Sequence, residues 1–175
     1  MKVILSVCSL TLAALGLLWV FGLRINATAS MPRGLYRLAP GAPERGDLVS
    51  VCLEQGYFAT LAWDRGYLRP GSCPNGLEPL LKRVVGVPGD HLEIGQDGIV
   101  INGRLWPQSR ALSRDSLGRP MPDAENFGSR TIPEGLALVL SDRHPGGFDS
   151  RYFGLVPMAS LRKVKPVFLI VPKGE

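Results

Sequence analysis

Three polar clusters in this chain hold residue types that could do chemistry. In the first, Ala27-Thr28-Ala29-Ser30-Met31-Pro32-Arg33-Gly34-Leu35-Tyr36, a serine stands seven residues beyond a long uncharged stretch. The second is Leu80-Leu81-Lys82-Arg83-Val84-Val85-Gly86-Val87-Pro88-Gly89-Asp90. Read as a strand, it puts Lys82 on one face with Leu80 and Val84, and Arg83 on the other with Leu81 and Val85. At least one of the two cations must then project into or beside apolar surroundings. A lysine desolvated there has its pKa pushed down from about 10.4, toward a value at which the neutral amine can accept a proton. Such an amine could activate a serine hydroxyl without a histidine. The third cluster, Ser141-Asp142-Arg143-His144-Pro145-Gly146-Gly147-Phe148-Asp149-Ser150-Arg151-Tyr152-Phe153-Gly154, follows the apolar run Leu136–Leu140 and reads as a shaped loop braced by Asp–Arg hydrogen bonds.

Each cluster also has a plainer reading. A loop serine is usually a solvated turn residue, a strand lysine usually protects an edge, and an Asp–Arg loop is usually structural. Other signatures are missing: there is no G-x-S-x-G elbow, Walker loop, G-x-G-x-x-G or H-E-x-x-H. With only His91 and His144, a histidine-based triad is poorly supplied. The three cysteines form no C-x-x-C and have no neighbouring histidine cluster, so neither a metal nor a cofactor is implied. Cys8 falls in the apolar stretch, and Cys52 and Cys73 are the candidate disulfide, closing a loop of about 20 residues.

The elements that must position these clusters follow from composition and punctuation. At 175 residues the chain allows one domain, perhaps with an appendage. Its 21 glycines and 15 prolines, without a Gly-X-Y period and with abundant Val, Leu and Ile, exclude collagen, disorder and a long helical bundle. Segments 48–53, 80–87, 92–94, 98–106, 136–140 and 167–171 read as strands, separated by Pro-Gly, Asn-Gly and Asp-Gly turn signals. An all-β domain is expected, a curved antiparallel sheet or partly open barrel, with Asp97-Gly98 and Asn102-Gly103 marking a tight meander. Residues 107–131 lack strand alternation and are expected to form a long surface excursion of the functional kind.

Residues 3–23 are uncharged and mostly apolar, between Lys2 and Arg24, and as a helix would be about 30 Å long, enough for a bilayer core. Two readings compete, a permanent anchor and a cleaved secretory signal. Length favours the anchor, since a signal's apolar core is usually roughly 7–15 residues; Ala27-Thr28-Ala29 has the small-x-small form of a cleavage site and would release Ser30 as the new terminus. The expected division is a membrane anchor with a short linker at 1–29 and an exported domain at 30–175. Residues 1–29 hold Lys2 and Arg24 and no acid, so the exported part carries 18 Lys and Arg against 15 Asp and Glu. That balance, with no Lys/Arg run or basic stripe interleaved with aromatics, gives no reason to expect nucleic acid.

Taken in order, these landmarks resemble the membrane-anchored serine–lysine signal peptidases, the S26 family, and within them the TraF-type conjugative-transfer peptidases. The matching order is an apolar anchor, Ser30-Met31-Pro32, the box from Lys82 to Asp90, Ile101-Asn102-Gly103, then Ser141-Asp142-Arg143-His144 and Asp149-Ser150-Arg151. Pro32-Arg33-Gly34-Leu35-Tyr36 and the small size carry the resemblance to the TraF type. The resemblance implies a signal-peptidase-like β-domain behind one N-terminal transmembrane helix, with Ser30 as nucleophile and Lys82 as general base. It implies an oxyanion site made by the Ser30 N–H and the Thr28 hydroxyl, with Asp149 and Arg151 supporting the lysine side. It further implies a single-pass protein of the bacterial inner membrane with its domain in the periplasm, and a membrane-associated precursor or pilin as substrate. Membrane lipid and other conjugation-apparatus proteins are the partners implied.

There is one departure from the pattern. Ordinary signal peptidases carry a serine two positions before the box aspartate, where it hydrogen-bonds the lysine; this chain has Gly147 there. The alternatives to a TraF-type enzyme are an ordinary signal peptidase I and a non-catalytic membrane-tethered β-domain of a secretion or conjugation assembly. A self-cleaving serine–lysine repressor is disfavoured by the apolar stretch. On the anchor reading, N-terminal sequencing of the purified full-length protein should find residues preceding Ser30; a terminus at Ser30 would establish cleavage instead.

Overall fold

The computed structural model describes residues 22–28, 30–122, 129–141 and 144–170. These residues form two antiparallel sheets. The larger uses β1 (Leu23–Asn26), β2 (Gly34–Leu38), β3 (Leu48–Val51), β4 (Leu80–Gly86), β9 (Leu136–Leu140), β10 (Val156–Pro157) and β11 (Leu161–Leu169), in the order β1-β2-β11-β3-β4-β9-β10. The smaller uses β5 (His91–Gly95), β6 (Gly98–Ile101), β7 (Arg104–Leu105) and β8 (Arg130–Thr131), in the order β7-β6-β5-β8. Helix α1 (Tyr57–Asp64) and the single turn α2 (Ser150–Phe153) complete the domain, which is all-β as its strand pattern predicts.

Strands β4 and β9 are apolar on both faces because they serve two cores. Val84, Ala137 and Val139 join the larger core with Val49, Leu80 and Tyr152, while Val85, Leu138 and Leu140 face the smaller core with Leu92, Ile99 and Ile132. A strand buried on both sides reads as a continuous hydrophobic run, which is why 136–140 is conspicuous in the sequence. The smaller sheet is a meander. Asn102 and Gly103 join β6 to β7 with φ values of 49° and 76°, the left-handed pair that a two-residue hairpin turn demands. Asp90 anchors this sheet to the larger one: its carboxylate accepts from Val87 N at 2.8 Å, Asn102 Nδ2 at 2.8 Å and the Arg45 guanidinium. The end of the Lys82–Asp90 box is thus architectural.

The structure corrects several expectations. Leu23, the last residue of the apolar run, lies in β1, not in a helix, and β1 pairs in full with β2. The backbone hydrogen bonds of β1 thus belong to the same sheet as the strands that follow Ser30. Residues 1–21 lie outside the described residues, and among the described ones no helix is long and apolar enough to cross a membrane. Strands β1 and β2 and the first half of β11 carry too many polar residues for periodicity to show them, and α1 lies in a stretch without a strong apolar face. The excursion after β7 is not a mere surface loop: Ala111 and Met121 pack against the larger core, and Asp115 accepts from Tyr67 Oη at 2.6 Å and Arg119 Nε at 2.7 Å.

Cys52 and Cys73 are joined by a disulfide with a Cα–Cα distance of 5.6 Å and a separation of 21 residues, tying the end of β3 to the segment leading into β4 across α1. Closing a loop of that length stabilises by about 3 kcal/mol. Replacing both cysteines with alanine should lower the unfolding free energy by that order, measured by denaturant titration, and make it insensitive to reductant.

Candidate active site

Ser30 sits in the tight loop between β1 and β2, and Asn26 shapes that loop. Its Nδ2 donates to Thr28 O at 3.2 Å, Met31 O at 3.1 Å and Pro32 O at 3.1 Å, while its Oδ1 accepts from Thr28 N at 3.2 Å. One buried amide thus satisfies backbone groups on both sides of the serine, helped by Tyr36 Oη donating to Pro32 O at 2.5 Å. Met31 and Tyr36 are fully buried and pin the loop to the sheet. At the start of β2, Gly34 is required for space: a Cβ there would lie 2.1 Å from Phe168 O on β11.

The Ser30 and Thr28 hydroxyl oxygens are 3.0 Å apart. Thr28 Oγ1 also lies 2.8 Å from Asn26 Oδ1, which can only accept, so the Thr28 proton points to Asn26 and Ser30 donates to Thr28. The threonine implied as an oxyanion donor is therefore turned toward Asn26 in the resting site and must redirect its proton to serve a developing oxyanion.

Lys82 lies on β4 between Val49 of β3 and the end of β9, 1 % exposed. Burial pushes its amine down to about 8 against the opposing pull of the Asp149 carboxylate, and the Arg151 guanidinium lowers it further. Arg83, on the other face, is half-buried and donates to Gly46 O at 2.6 Å, so the desolvated cation is Lys82.

Asp149 and Arg151 form a buried ion pair behind the lysine. Arg151 Nε donates to Asp149 Oδ1 at 2.7 Å and Nη2 to Oδ2 at 2.7 Å, the bidentate geometry of a strong charge-assisted pair. The remaining guanidinium hydrogens reach Gly147 O at 3.0 Å, Arg110 O at 3.2 Å and Pro145 O. Asp149 Oδ2 also accepts from Ser141 N at 2.8 Å, and Ser150 Oγ accepts from Val139 N at 3.0 Å. The box therefore joins the end of β9, the loop before α2 and the excursion around one ion pair.

Ser30, Thr28 and Lys82 all line a single open cavity of about 850 Å³. Leu112, Asp115 and Met121 of the excursion form part of its wall, as does the exposed His144, whose Nδ1 accepts from Gly146 N at 3.0 Å. Within the site the Ser30 hydroxyl is bonded to Thr28 and not to the Lys82 amine. Asp149 and Arg151 stand outside the cavity lining. No metal-binding cluster occurs among the described residues. The sequence did not single out Asn26; its only sign was an asparagine two residues before Thr28, the spacing at which its side chain can bond the backbone N–H.

A serine in a small-residue loop and a desolvated lysine on β4 thus line one cavity. The family model for signal peptidase, peptidase S26, matches residues 1–168, and the chain belongs to that serine peptidase family. A probable conjugal transfer protein TraF of Sinorhizobium fredii is 38% identical over 90% of this chain and 84% of its own length. A plasmid transfer protein TraF of Escherichia coli is 36% identical over 94% and 92%. A probable signal peptidase I-2 of Synechocystis is 27% identical over 79% of this chain and 53% of its own length. Within the family the chain is of the TraF type.

Burial holds the Lys82 amine at about 8 in the folded chain, against about 10.4 for an unburied lysine. Between those values the unfolded chain holds more protons, so this group's contribution to stability rises with pH across the window, and below about 8 the full penalty is present. Lys82→Met should therefore stabilise the protein at pH 7 by on the order of 3 kcal/mol, with the gain shrinking toward about pH 10.4. Thermal unfolding of both proteins across that pH range checks it.

Proposed function

We propose that this chain is a membrane-anchored serine endopeptidase with a Ser30–Lys82 dyad, acting on exported, pilin-type precursors in conjugative transfer. The observation that carries the reading is Lys82: fully buried, its amine lowered to about 8, and lining the same cavity as Ser30. A lysine placed for structure alone would keep its charge in water; this one is held where roughly a tenth of it is neutral at pH 7, far more than for an unburied lysine.

The neutral Lys82 amine takes the Ser30 proton as Oγ attacks the scissile carbonyl. The Ser30 N–H, joined by the redirected Thr28 hydroxyl, stabilises the resulting oxyanion, each such donor being worth roughly 3–4 kcal/mol. As the C–N bond breaks, the Lys82 ammonium returns the proton to the leaving amine and an acyl-enzyme forms. Water attack, with its proton passing to Lys82, then yields a carboxylate product and free Ser30. Attack by the substrate's own N-terminal amine yields instead a peptide bond and a cyclic product. Every group in this scheme belongs to the chain or its substrate, so it calls for no cofactor or metal.

The long apolar run ahead of β1 and an apolar strip beside the site support a membrane location. Ile25 on β1 and Phe168 on β11 both pair with Leu35 of β2 and are largely exposed, with Val167 and Ile170 exposed nearby. Such a surface suits a lipid interface and a substrate that is itself membrane-associated. In this reading the protein spans the bacterial inner membrane once, with its β-domain and cavity on the periplasmic side. Other conjugation proteins are partners consistent with the TraF relatives.

Ser30→Ala and Lys82→Met should each abolish processing of a pilin-type precursor by the full-length protein in membranes, a loss of at least about 10²–10⁴-fold, while far-UV dichroism stays unchanged. The kcat/KM of the native protein should climb with pH through about 8 as Lys82 loses its proton. Retained activity in Lys82→Met with loss in His144→Ala would replace the dyad with a histidine-based site. Mass spectrometry of the product separates the linear from the cyclic outcome.

A further inference from the structure

The Asp149–Arg151 box leaves one buried polar atom unanswered. Ser141 is 8 % exposed, and its Oγ has no hydrogen-bond partner among the described residues, although its N–H is engaged by Asp149. A buried hydroxyl without a partner is unfavourable, and in a native structure it calls for a reason.

The register of the strands suggests one. Arg83 pairs with Leu140 and Val84 with Val139, so continuing this antiparallel ladder one step beyond the end of β9 sets Ser141 opposite Lys82. Directly opposed residues project to the same side of the sheet, with Cβ atoms about 4.5–5.5 Å apart. On the other flank of Lys82, β3 presents Val49, which has nothing to offer an amine. Asp149 acts on Lys82 through its charge, while its carboxylate oxygens are taken by Arg151 and by Ser141 N. Ser141 is thus an uncommitted hydroxyl directly across the strand pair from the lysine.

Gly147 supports the same assignment. A Cβ at that position would lie 1.9 Å from Ser141 Oγ and 2.6 Å from Ser141 Cβ. The Ser141 side chain fills the space that any side chain at 147 would need.

We propose that Ser141 is the positioning residue of Lys82: by rotating about χ1, its Oγ accepts an N–H from Lys82 Nζ and turns the amine lone pair toward Ser30. The proposal rests on the Ser–Lys reading above. Around Lys82 the charged groups that act on it are Asp149 and Arg151, and β3 contributes only Val49. Elsewhere the cavity is lined by the titratable groups Tyr36, Tyr67, Glu78, Asp115, His144 and Tyr152 and by Arg24, Arg69 and Arg114.

The test uses the full-length protein in detergent micelles, labelled at lysine ¹³Cε. Lys82 is one of five lysines, and its resonance is the one missing from Lys82→Met. An accepted N–H favours the ammonium form, so Ser141→Ala should lower the Lys82 titration midpoint by about half a pH unit or more. The same variant should cut kcat for precursor processing by about tenfold or more at unchanged KM, and move the acid limb of the rate profile to lower pH. The double variant S141G/G147S, which vacates one position and supplies the hydroxyl from the other, should return both the midpoint and kcat toward the native values. An unchanged midpoint in Ser141→Ala overturns the proposal, as does a loss of thermal stability with midpoint and kcat both intact. If Ser30→Ala and Lys82→Met still process precursor while the midpoint responds to Ser141, the peptidase reading fails and the Ser141–Lys82 contact stands. If those two variants are inactive and the midpoint ignores Ser141, this proposal alone falls.

Discussion

The site is organised around one buried ion pair, Asp149 with Arg151. Both side chains are essentially inaccessible, and removing either would leave an uncompensated charge inside the domain. The pair is fully used: the carboxylate holds the end of β9 through Ser141 N, and the guanidinium holds carbonyls of the preceding loop and of the excursion. The segment from Ser141 to Arg151 and the distant excursion at Gln108–Arg110 are therefore tied together through one ion pair. The cavity wall beside Lys82 takes its shape from that arrangement, and its electrostatics follow from the same two charges.

The ion pair also explains why the lysine is balanced and not simply neutral. Burial alone would drive the amine further down, and the Asp149 carboxylate pulls it back up while Arg151 opposes that pull. The net result, about 8, leaves the amine able to give and take a proton near neutral pH. Stability is lost to keep a desolvated cation in the sheet, the usual trade at a site built for proton transfer. The nucleophile side is built differently. There, a single uncharged amide, Asn26, organises the Ser30 loop by bonding its backbone, and no charge is involved.

Much of the fold was legible because β4, β6 and β9 are apolar runs bounded by turn residues, and Asn102-Gly103 could close only one kind of turn. The strands that escaped notice are those whose apolar character is thin: β1 begins in the tail of the apolar run, and the first half of β11 carries Arg162, Lys163 and Lys165. Pairing makes them strands, and pairing is not a local property. The excursion was recognised as unusual but not as a cavity wall, since Tyr67 and Arg119 bind Asp115 across some fifty residues of sequence or within a turn that no periodicity announces.

The sequence by itself determined the chemistry on offer: a serine just beyond an apolar run, a lysine on an apolar strand face, an Asp–Arg box, two cysteines at a bondable spacing and the order that marks the family. Those properties are local, because residue type and a period of two are enough to read them. Only the tertiary structure decided which of two adjacent cations is desolvated, that Thr28 turns its proton to Asn26, and that Ser141 takes the space left by Gly147. Each of these depends on what stands opposite, across a strand pair or a loop, and distances between segments are set by packing and not by spacing along the chain.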